Sequence, residues 1–344
     1  MRAARIHAYG DPEQVRVDDV DEPEIGPRDV LIAVRAAAVN PIDFKLRSGA
    51  QRAVVRWKLP HTLGMDASGV VEAVGDEVTR FSPGDEVYCS PTHRRPGTYA
   101  EKVAVAESAV AFKPRNVSFA EAAGVPLAGL TAWQSLVDAI DVSKGDRVLV
   151  QAGAGGVGSL GIQIAKHRGA HVITTCSPRN EALVRRLGAD EVINYREQDV
   201  VDTVGACDVV FDTLGGEARD RSLELLSRGG RMVSVMGGIP DAVKKHGPHL
   251  GVLVAVSGLV GFALRCMARG VTFRYVVRKP DADDLAELTA LIEAGKLEPI
   301  VDSVLPLEQV VDAHKRSESG RARGKIILAV HPDAADGGAT GPPA

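Results

Sequence analysis

Aromatic residues and net charge are both scarce in this 344-residue chain, and each scarcity excludes a class of protein. Aromatic residues make up 4% of the sequence, and 41 basic and 45 acidic residues leave a formal net charge of −4. Without an excess of Lys and Arg to neutralise phosphates, nucleic acid is not an expected partner. A hydrophobic fraction of 45% and a charged fraction of 25% are typical of a folded soluble chain, and the length predicts two domains.

Cysteine is also scarce, and the N-terminal residues contain no long apolar stretch. Four cysteines, Cys89, Cys176, Cys207 and Cys266, lie far apart without a C-x-x-C pair, which excludes a structural zinc lobe and favours a reducing compartment. The N-terminal residues lack the apolar stretch of a secretion signal, so we expect a cytoplasmic protein. The tail at residues 331–344 is small and rich in Gly and Pro, and we expect it to be disordered.

The longest uncharged apolar run covers residues 250–264. It is shorter than the roughly 20 residues that cross a bilayer, so no stable membrane insertion is expected. We favour a buried helix for this run. The alternative is a helix that packs on a second subunit or touches a membrane surface.

The pattern of apolar residues changes along the chain. The first 120 residues carry short β-branched stretches separated by Gly and Pro turns, which is typical of a β-rich, barrel-like domain. From about Val142, short apolar runs alternate with helical patterns, as in a doubly wound parallel sheet. Strands are predicted at 147–152, 171–176, 208–212, 231–236 and 271–277, and helices at 158–167, 180–187, 217–227 and 281–293.

A glycine-rich segment follows the first of these strands and opens a helix. It consists of Gly153, Ala154, Gly155, Gly156, Val157 and Gly158. In this context the G-x-G-x-x-G pattern predicts a dinucleotide site: Gly153 for the sharp turn, Gly155 for the approach of a pyrophosphate, and Gly158 for packing of the helix on the strand. The free N–H groups at the helix start would bind the phosphates.

The residues after the second strand indicate which dinucleotide is bound. An NAD site carries an acidic residue there, about 20 residues beyond the glycines, to hold the ribose 2′-hydroxyl. This chain has Ser177 and Arg179 instead, and a hydroxyl with a guanidinium suits a 2′-phosphate. NADPH is therefore preferred over NADH as the predicted cofactor.

These segments, together with residues 38–49, 63–75, 97–101 and 125–133, resemble the medium-chain dehydrogenase/reductase superfamily over about residues 1–330. Within it the chain is most similar to the zinc-free quinone oxidoreductase and enone reductase branch. The closing segments at 293–300 and 320–328 resemble reticulon-interacting-protein-like members.

The resemblance implies an α/β fold with two domains. Residues 1–123 and 279–330 would form a GroES-like β-barrel catalytic domain, and residues 124–278 a Rossmann NADPH-binding domain, with the nicotinamide in the cleft between them. A homodimer would form through the strand at 271–277. Besides the glycine-rich segment, the implied cofactor contacts are Asn40, Thr131, Ser177, Arg179, Tyr195, Leu214 and Gly215.

The resemblance also argues against a metal. Zinc-dependent relatives carry a cysteine near Pro41 and Ile42, and a Gly-His-Glu where this chain has Gly64, Met65 and Asp66. A catalytic zinc needs three protein ligands, and His61, His93 and Asp66 are a poor substitute set, so we expect no metal.

Without a Lewis acid, the expected reaction is hydride delivery to a quinone or an α,β-unsaturated carbonyl. The resemblance to alkenal and enone reductases points Lys45 towards the substrate carbonyl, where it would stabilise developing negative charge. Alternatively, Lys45 is a solvated residue paired with Asp43. Asp43 is a further candidate in catalysis, or it orients Asn40 or Lys45 instead of transferring a proton.

Two other functions stay open at this point. One is an enoyl-thioester reductase, for which basic residues at Arg52, Arg56, Lys58, Arg94 and Arg95 would suit a long carrier arm. The other is an NADPH-gated binding or regulatory protein without turnover.

Overall fold

The computed structural model describes residues 1–334 and contains two compact units. The first unit comprises Met1–Leu130, Lys279–Gly295 and the described chain from Pro299 onward; the second comprises Thr131–Arg278 and Lys296–Glu298. The sequence-based boundary after residue 123 falls earlier than this division. The first half of the helix that follows belongs to the first unit, where a Cβ on Gly129 would touch Leu288.

The N-terminal part of the first unit consists mainly of short strands. In chain order its elements are β1 (Arg2–Ile6), β2 (Val15–Asp19), β3 (Asp29–Val39), α1 (Pro41–Arg47), β4 (His61–Thr62), β5 (Ala67–Val74), β6 (Glu86–Cys89), β7 (Lys102–Ala106), β8 (Val110–Phe112), α2 (Phe119–Ala123) and α3 (Pro126–Trp133), which crosses into the second unit. The long strand β3 pairs with both β5 and β7, and most of its residues are buried.

The second unit alternates strands and helices, as predicted. Its elements are β9 (Arg147–Val150), α4 (Gly156–His167), β10 (His171–Cys176), α5 (Glu181–Arg186), β11 (Glu191–Asn194), α6 (Val200–Val204), β12 (Cys207–Asp212), α7 (Gly216–Ser222), β13 (Leu226–Ser234), α8 (Ile239–His246), α9 (Pro248–Ala268) and β14 (Thr272–Tyr275). The strands form one parallel sheet in the order β11-β10-β9-β12-β13-β14. The predicted doubly wound parallel sheet is confirmed.

The largest boundary difference from the sequence-based prediction in this unit lies between α7 and β13. The helix predicted at 217–227 ends at Ser222, and Leu223–Leu225 forms a 3-10 turn before β13 begins at Leu226. Leu223, Leu225 and Leu226 are all buried in one apolar cluster, so packing of the chain against the sheet ends the helix early.

The remaining elements complete the first unit. They are α10 (Ala282–Glu293), β15 (Val301–Pro306), α11 (Val310–Glu318) and β16 (Lys325–Ala329). A seven-stranded sheet has the order β15-β16-β3-β5-β6-β8, with β7 paired to β3. The expectation of a disordered tail is wrong for its first residues, since Pro332–Ala334 forms a 3-10 turn and Ala334 packs in a small apolar cluster. Residues 335–344 lie outside the described part of the chain.

The apolar run at 250–264 does form a helix, but the preferred prediction of a buried one is wrong. It belongs to α9, which is 21 residues long, and only 17% of its most apolar 18-residue window is buried. Gly251, Phe262 and Cys266 are the helix's buried residues. Composition alone could not distinguish a buried helix from an exposed one, because an apolar sequence of this kind is compatible with both positions.

Candidate functional site

The glycine-rich turn joins β9 to α4 in the second unit. Two backbone hydrogen bonds hold this turn: Gly153 N–H donates to Thr175 O (3.0 Å), and Gly155 N–H donates to Ala152 O (3.0 Å). The helix begins at Gly156, two residues earlier than predicted, and its first i→i−4 bond runs from Ser159 N to Gly155 O (2.9 Å). The amides of Gly156, Val157 and Gly158 precede that bond, so the helix itself offers them no acceptor.

The glycines in this turn serve different purposes. A Cβ on Gly158 would lie 2.3 Å from Ala152 O, so the close approach of helix and strand agrees with the sequence-based interpretation. A Cβ on Gly153 would lie 2.1 Å from Thr174 Oγ1. The left-handed conformation is at Ala152, with φ of 51°, and not at Gly153. Gly153 is therefore required for space beside β10 and not, as expected, for a sharp turn.

A Cβ on Gly155 meets only Ala152 O, at 3.3 Å. The protein itself thus leaves room at Gly155, the position at which a pyrophosphate was expected to approach.

The residues predicted to select NADPH lie at the carboxyl end of β10. Ser177 is buried and caps the 3-10 turn Pro178–Asn180, while Arg179 in that turn is exposed. The parallel register aligns Cys176 with Asn194 of β11, so Ser177 and Tyr195 leave the sheet side by side. Tyr195 is 55% exposed. No carboxylate occurs in residues 171–180.

The turn after β12 is organised by a buried carboxylate that sequence analysis did not single out. Asp212 Oδ1 accepts from the backbone N–H groups of Leu214 (3.0 Å) and Gly215 (2.7 Å), and Oδ2 accepts from Ser234 Oγ (2.5 Å). Burial raises the pKa of Asp212. Gly215 has φ of 71°, which favours glycine, and Leu214 is left half-exposed.

The glycine-rich turn and the 213–215 turn follow adjacent strands, since β9 pairs with β12. Thr213 Oγ1 donates to Gln151 O (3.0 Å) and joins the two turns. Strand order reverses between β9 and β12, and ligands of such sheets bind at this reversal, outside the carboxyl ends of the strands. The second unit therefore presents a dinucleotide site.

The first unit contains a buried polar cluster where α1, β5 and β16 each begin. Asn40 Nδ2 donates to Asp66 Oδ2 (2.9 Å), and Lys325 Nζ donates to Asn40 Oδ1 and to Asp66 Oδ2 (3.2 Å). Asp66 Oδ1 accepts from Leu127 N–H (2.8 Å). We call Asn40, Asp43, Asp66, Tyr99 and Lys325 the buried network; each is at most 7% exposed.

Asp43 links this network to the start of α1. Its Oδ2 accepts from Asn40 N–H (2.8 Å) and from the Tyr99 hydroxyl (2.7 Å). Burial raises the pKa of Asp43 to about 7, although both hydrogen bonds act in the opposite direction. Asn40 and Asp43 are predicted catalytic residues. The Asn40 side chain bonds to Asp66 and Lys325, and Asp43 Oδ2 accepts from Asn40 N–H and Tyr99, so these contacts favour a role in positioning α1.

The other end of α1 is held by Arg47. Its guanidinium donates to Glu318 Oε1 (2.6 Å), contacts His314 Nδ1 (3.3 Å) and donates to Gly10 O (3.2 Å). Burial and the nearby guanidinium lower the pKa of His314 to about 3, so the ring is neutral. Helix α1 is therefore fixed at both ends by buried groups.

Lys45 lies between these two anchors and is half-buried. Residues two apart on a helix do not face each other, so Lys45 and Asp43 point to different sides of α1. The alternative of a Lys45–Asp43 pair is not supported. Lys45, Asn40 and Asp43 belong to the first unit, whereas Thr131, at 7% exposure in α3, and the other predicted cofactor contacts belong to the second.

Comparison with known proteins identifies the family. The alcohol dehydrogenase GroES-like domain model matches residues 26–115, and the zinc-binding dehydrogenase model matches residues 187–328. The NADPH-dependent alkenal/one oxidoreductase (chloroplastic) of Arabidopsis thaliana is 37% identical over 339 residues, covering 95% of this chain and 79% of the relative. The chain belongs to the medium-chain dehydrogenase/reductase superfamily. The predicted family, with its GroES-like domain and Rossmann-like sheet, is confirmed.

Other relatives and solved structures agree. The mitochondrial NAD(P)H oxidoreductase RTN4IP1 of Mus musculus is 34% identical over 353 residues, covering 96% of this chain and 89% of that protein. The quinone oxidoreductase structure from Coxiella burnetii has a TM-score of 0.84 at 33% identity, covering 96% and 99% of the two chains. That from Escherichia coli, complexed with NADPH, has a TM-score of 0.81 at 27% identity, covering 96% and 100%. The chain is thus an oxidoreductase with a nicotinamide cofactor.

The zinc implied by the matched family name does not fit the residues of this chain. Met65 provides no strong ligand where zinc-dependent relatives have histidine, and both oxygens of Asp66 already accept hydrogen bonds from Asn40, Lys325 and Leu127. Within residues 1–334, no group of three or more His, Cys, Asp or Glu side chains is arranged to hold a metal ion. Three ligands and an open position are what a catalytic zinc requires.

Proposed function

We propose that this protein is an NADPH-dependent, zinc-independent reductase of quinones or α,β-unsaturated carbonyls. The choice of NADPH rests on the residues at the end of β10. Ser177 is buried and Arg179 is exposed there, and residues 171–180 contain no carboxylate. Relatives named as quinone oxidoreductases and an alkenal/one oxidoreductase support the acceptor class.

In this proposal the second unit binds the cofactor and the chain's own groups orient it. The amides of Gly156, Val157 and Gly158 donate to the diphosphate, and Ser177 and Arg179 donate to the 2′-phosphate. Tyr195 packs against the adenosine side, while Thr131, Leu214 and Gly215 contact the nicotinamide half. When bound, NADPH supplies the hydride.

Lys45 is the proposed donor to the substrate oxygen. Its ammonium would stabilise negative charge as the acceptor is reduced, a contribution on the order of 2 to 4 kcal/mol to the transition state. The anchoring of α1 through Asn40 and Arg47 supports this role, because a donor is effective only when its position is fixed in advance.

The substrate class is tested by measuring NADPH oxidation with a soluble quinone, a short enone and a crotonyl thioester. We expect the quinone or the enone to have the highest kcat/KM. A hundredfold preference for the thioester would identify an enoyl-thioester reductase. Tight NADPH binding with no turnover on any acceptor would favour a binding or regulatory protein.

The role of Lys45 is tested by Lys45→Met. We expect kcat/KM to fall by about a hundredfold or more, with NADPH affinity unchanged and partial recovery in Lys45→Arg. An unchanged kcat/KM would remove Lys45 from the mechanism.

One observation bears on the alternative of an enoyl-thioester reductase. The Arg95 guanidinium, a candidate for binding a carrier arm, is already paired with both oxygens of Asp29 (2.8 and 2.6 Å), which weakens the thioester alternative.

The proposed homodimer is supported by the position of β14 at the edge of the sheet, with one side of its backbone unpaired there. Sedimentation that shows a monomer at micromolar concentration would contradict it. A cytoplasmic location stays a proposal.

A further inference from the structure

An exposed apolar stripe runs along α9. Its members recur at intervals of three or four residues and are each 50–69% exposed: Leu250, Leu253, Val256, Val260, Leu264 and Met267. Such spacing puts them on one side of the helix. We call this set the α9 stripe. Contiguous apolar surface of this kind marks a site of interaction.

The opposite side of α9 fixes the helix to the second unit. Phe262 and Cys266 are fully buried in the apolar cluster under the sheet, and Phe262 contacts Phe273 edge-on at 5.0 Å. Near the start of α9, a Cβ on Gly251 would lie 2.4 Å from Val243 Cα, so α8 packs closely against α9. The α9 stripe is thus presented on a fixed helix.

Most of the charge near this helix in the sequence is positive, although Asp241 lies in the first turn of α8. Residues 242–280 contain seven Lys and Arg residues and no Asp or Glu: Lys244, Lys245, Arg265, Arg269, Arg274, Arg278 and Lys279. Two lysines at the end of α8 lie beside the first turn of α9, and His246 and His249 lie there as well.

The far end of α9 carries some negative charge from other elements. Arg265 donates to Asp220 of α7 (2.8 Å) and lies over the Phe262 ring at 5.1 Å. Glu224 also lies close to Arg265 and Arg269. The uncompensated positive charge is therefore concentrated at Lys244 and Lys245, which form no ion pair within residues 1–334.

We propose that the α9 stripe and the lysines of α8 dock the second unit onto the surface of a bilayer that contains anionic lipids. An apolar helix face flanked by Lys residues binds in the headgroup region by burying its apolar side chains while the lysines attract anionic headgroups. At 21 residues, α9 is about 31 Å long. The whole stripe contacts the bilayer when the helix lies flat.

The helix lies on the bilayer and does not cross it. By length and composition alone α9 could span a membrane, with a mean hydropathy of 2.0. However, β13 before it and β14 after it pair in parallel in one sheet, with Arg231 opposite Thr272. Crossing would pull Phe262 and Cys266 out of the core and separate these strands.

A second copy of the chain is the other candidate occupant of the stripe. Packed in parallel, two α9 helices would bring Lys244 and Lys245 of both copies together, where like charges repel. Packed antiparallel, they would bring these lysines to the end where Asp220 and Glu224 lie beside Arg265 and Arg269, and the sedimentation measurement below distinguishes that arrangement from binding to a bilayer. The proposed dimer through β14 uses backbone groups of an edge strand and does not require the stripe.

The test is binding of the full chain to sedimented vesicles of phosphatidylcholine with or without phosphatidylglycerol. We expect binding to the vesicles that contain phosphatidylglycerol, weakened by salt. The stripe variant Leu253→Glu/Val260→Glu and the charge variant Lys244→Glu/Lys245→Glu are each expected to reduce the partition coefficient by about tenfold or more. All four positions are exposed, so folding is not at risk.

Matched controls are Ile25→Glu, an exposed apolar residue of the first unit, and Lys144→Glu/Lys296→Glu, two exposed lysines remote in sequence from α8 and α9. They should bind as the wild type does, and all variants should keep NADPH oxidation with a soluble quinone. Failure of wild-type protein to bind either vesicle overturns the proposal. Equal losses in controls and variants overturn it too. So does a stripe variant that lowers the sedimentation mass without changing vesicle binding, which would assign the stripe to a second copy.

Discussion

The two candidate regions, one in each unit, differ in how their polar groups are satisfied. In the buried network of the first unit, Asn40, Asp66 and Lys325 bond to one another and are almost inaccessible. In the second unit, the amides that begin α4 have no partner within the helix and Arg179 is exposed. A network whose groups satisfy each other holds a neighbouring element in place, whereas amides at a helix start, which the helix leaves without an acceptor, suit an anionic ligand. The contrast favours positioning for the first region and binding for the second.

Removing the buried cation of Lys325 should have the largest effect on the free energy of unfolding. Lys325→Met leaves Asp66 buried without its counter-charge, and we expect the free energy of unfolding to fall by about 3 to 5 kcal/mol, measured by urea denaturation. Lys296→Met, at an exposed lysine, is the control.

The double variant Asp66→Asn/Lys325→Met removes the stranded charge and should recover part of the loss. A loss below about 1 kcal/mol in the single variant would show that the network is not a stabilising unit.

Two alanine substitutions separate folding from binding in the glycine-rich turn. Gly158→Ala places a Cβ against Ala152 O, and we expect a loss of about 1 to 3 kcal/mol in the free energy of unfolding. Gly155→Ala places its Cβ 3.3 Å from Ala152 O, a contact that a shift of a few tenths of an ångström relieves, so it should cost less stability than Gly158→Ala. It should weaken NADPH binding by about tenfold or more, because its methyl group competes with the pyrophosphate. Equal effects of both on stability would contradict this division.

The network should also make the stability of the protein depend on pH. The pKa of Asp43 is about 7 in the folded protein, above its ordinary value of 3.8, so between about pH 4 and 7 the folded state holds a proton that the unfolded chain releases. Stability contributed by that proton is present at low pH and is lost as the pH rises through 7. The free energy of unfolding of wild type minus that of Asp43→Asn should therefore fall across this window. A constant difference would contradict the assignment.

Sequence reasoning found the binding region more completely than the positioning region. The glycine-rich turn, Ser177 and Tyr195 lie in short local patterns beside predicted strands, and register then aligns them. The network joins Asn40 to Asp66, 26 residues apart, and Asp66 to Lys325, 259 residues apart, so no local pattern indicates it. Asp66 was considered only as a replacement of a zinc ligand, Tyr99 was included only in the family-like segment at 97–101, and Asp212 was not singled out.

The central claim is that the second unit binds NADPH through open backbone amides and reads its 2′-phosphate with Ser177 and Arg179. Isothermal titration of NADPH and NADH into the wild type and Arg179→Asp tests it most directly, with Lys144→Asp, before the amino end of β9, as control. We predict tighter binding of NADPH than of NADH by the wild type and the control, and loss or reversal of that preference in Arg179→Asp. No binding of NADPH by the wild type, or an unchanged preference in Arg179→Asp, would contradict the account.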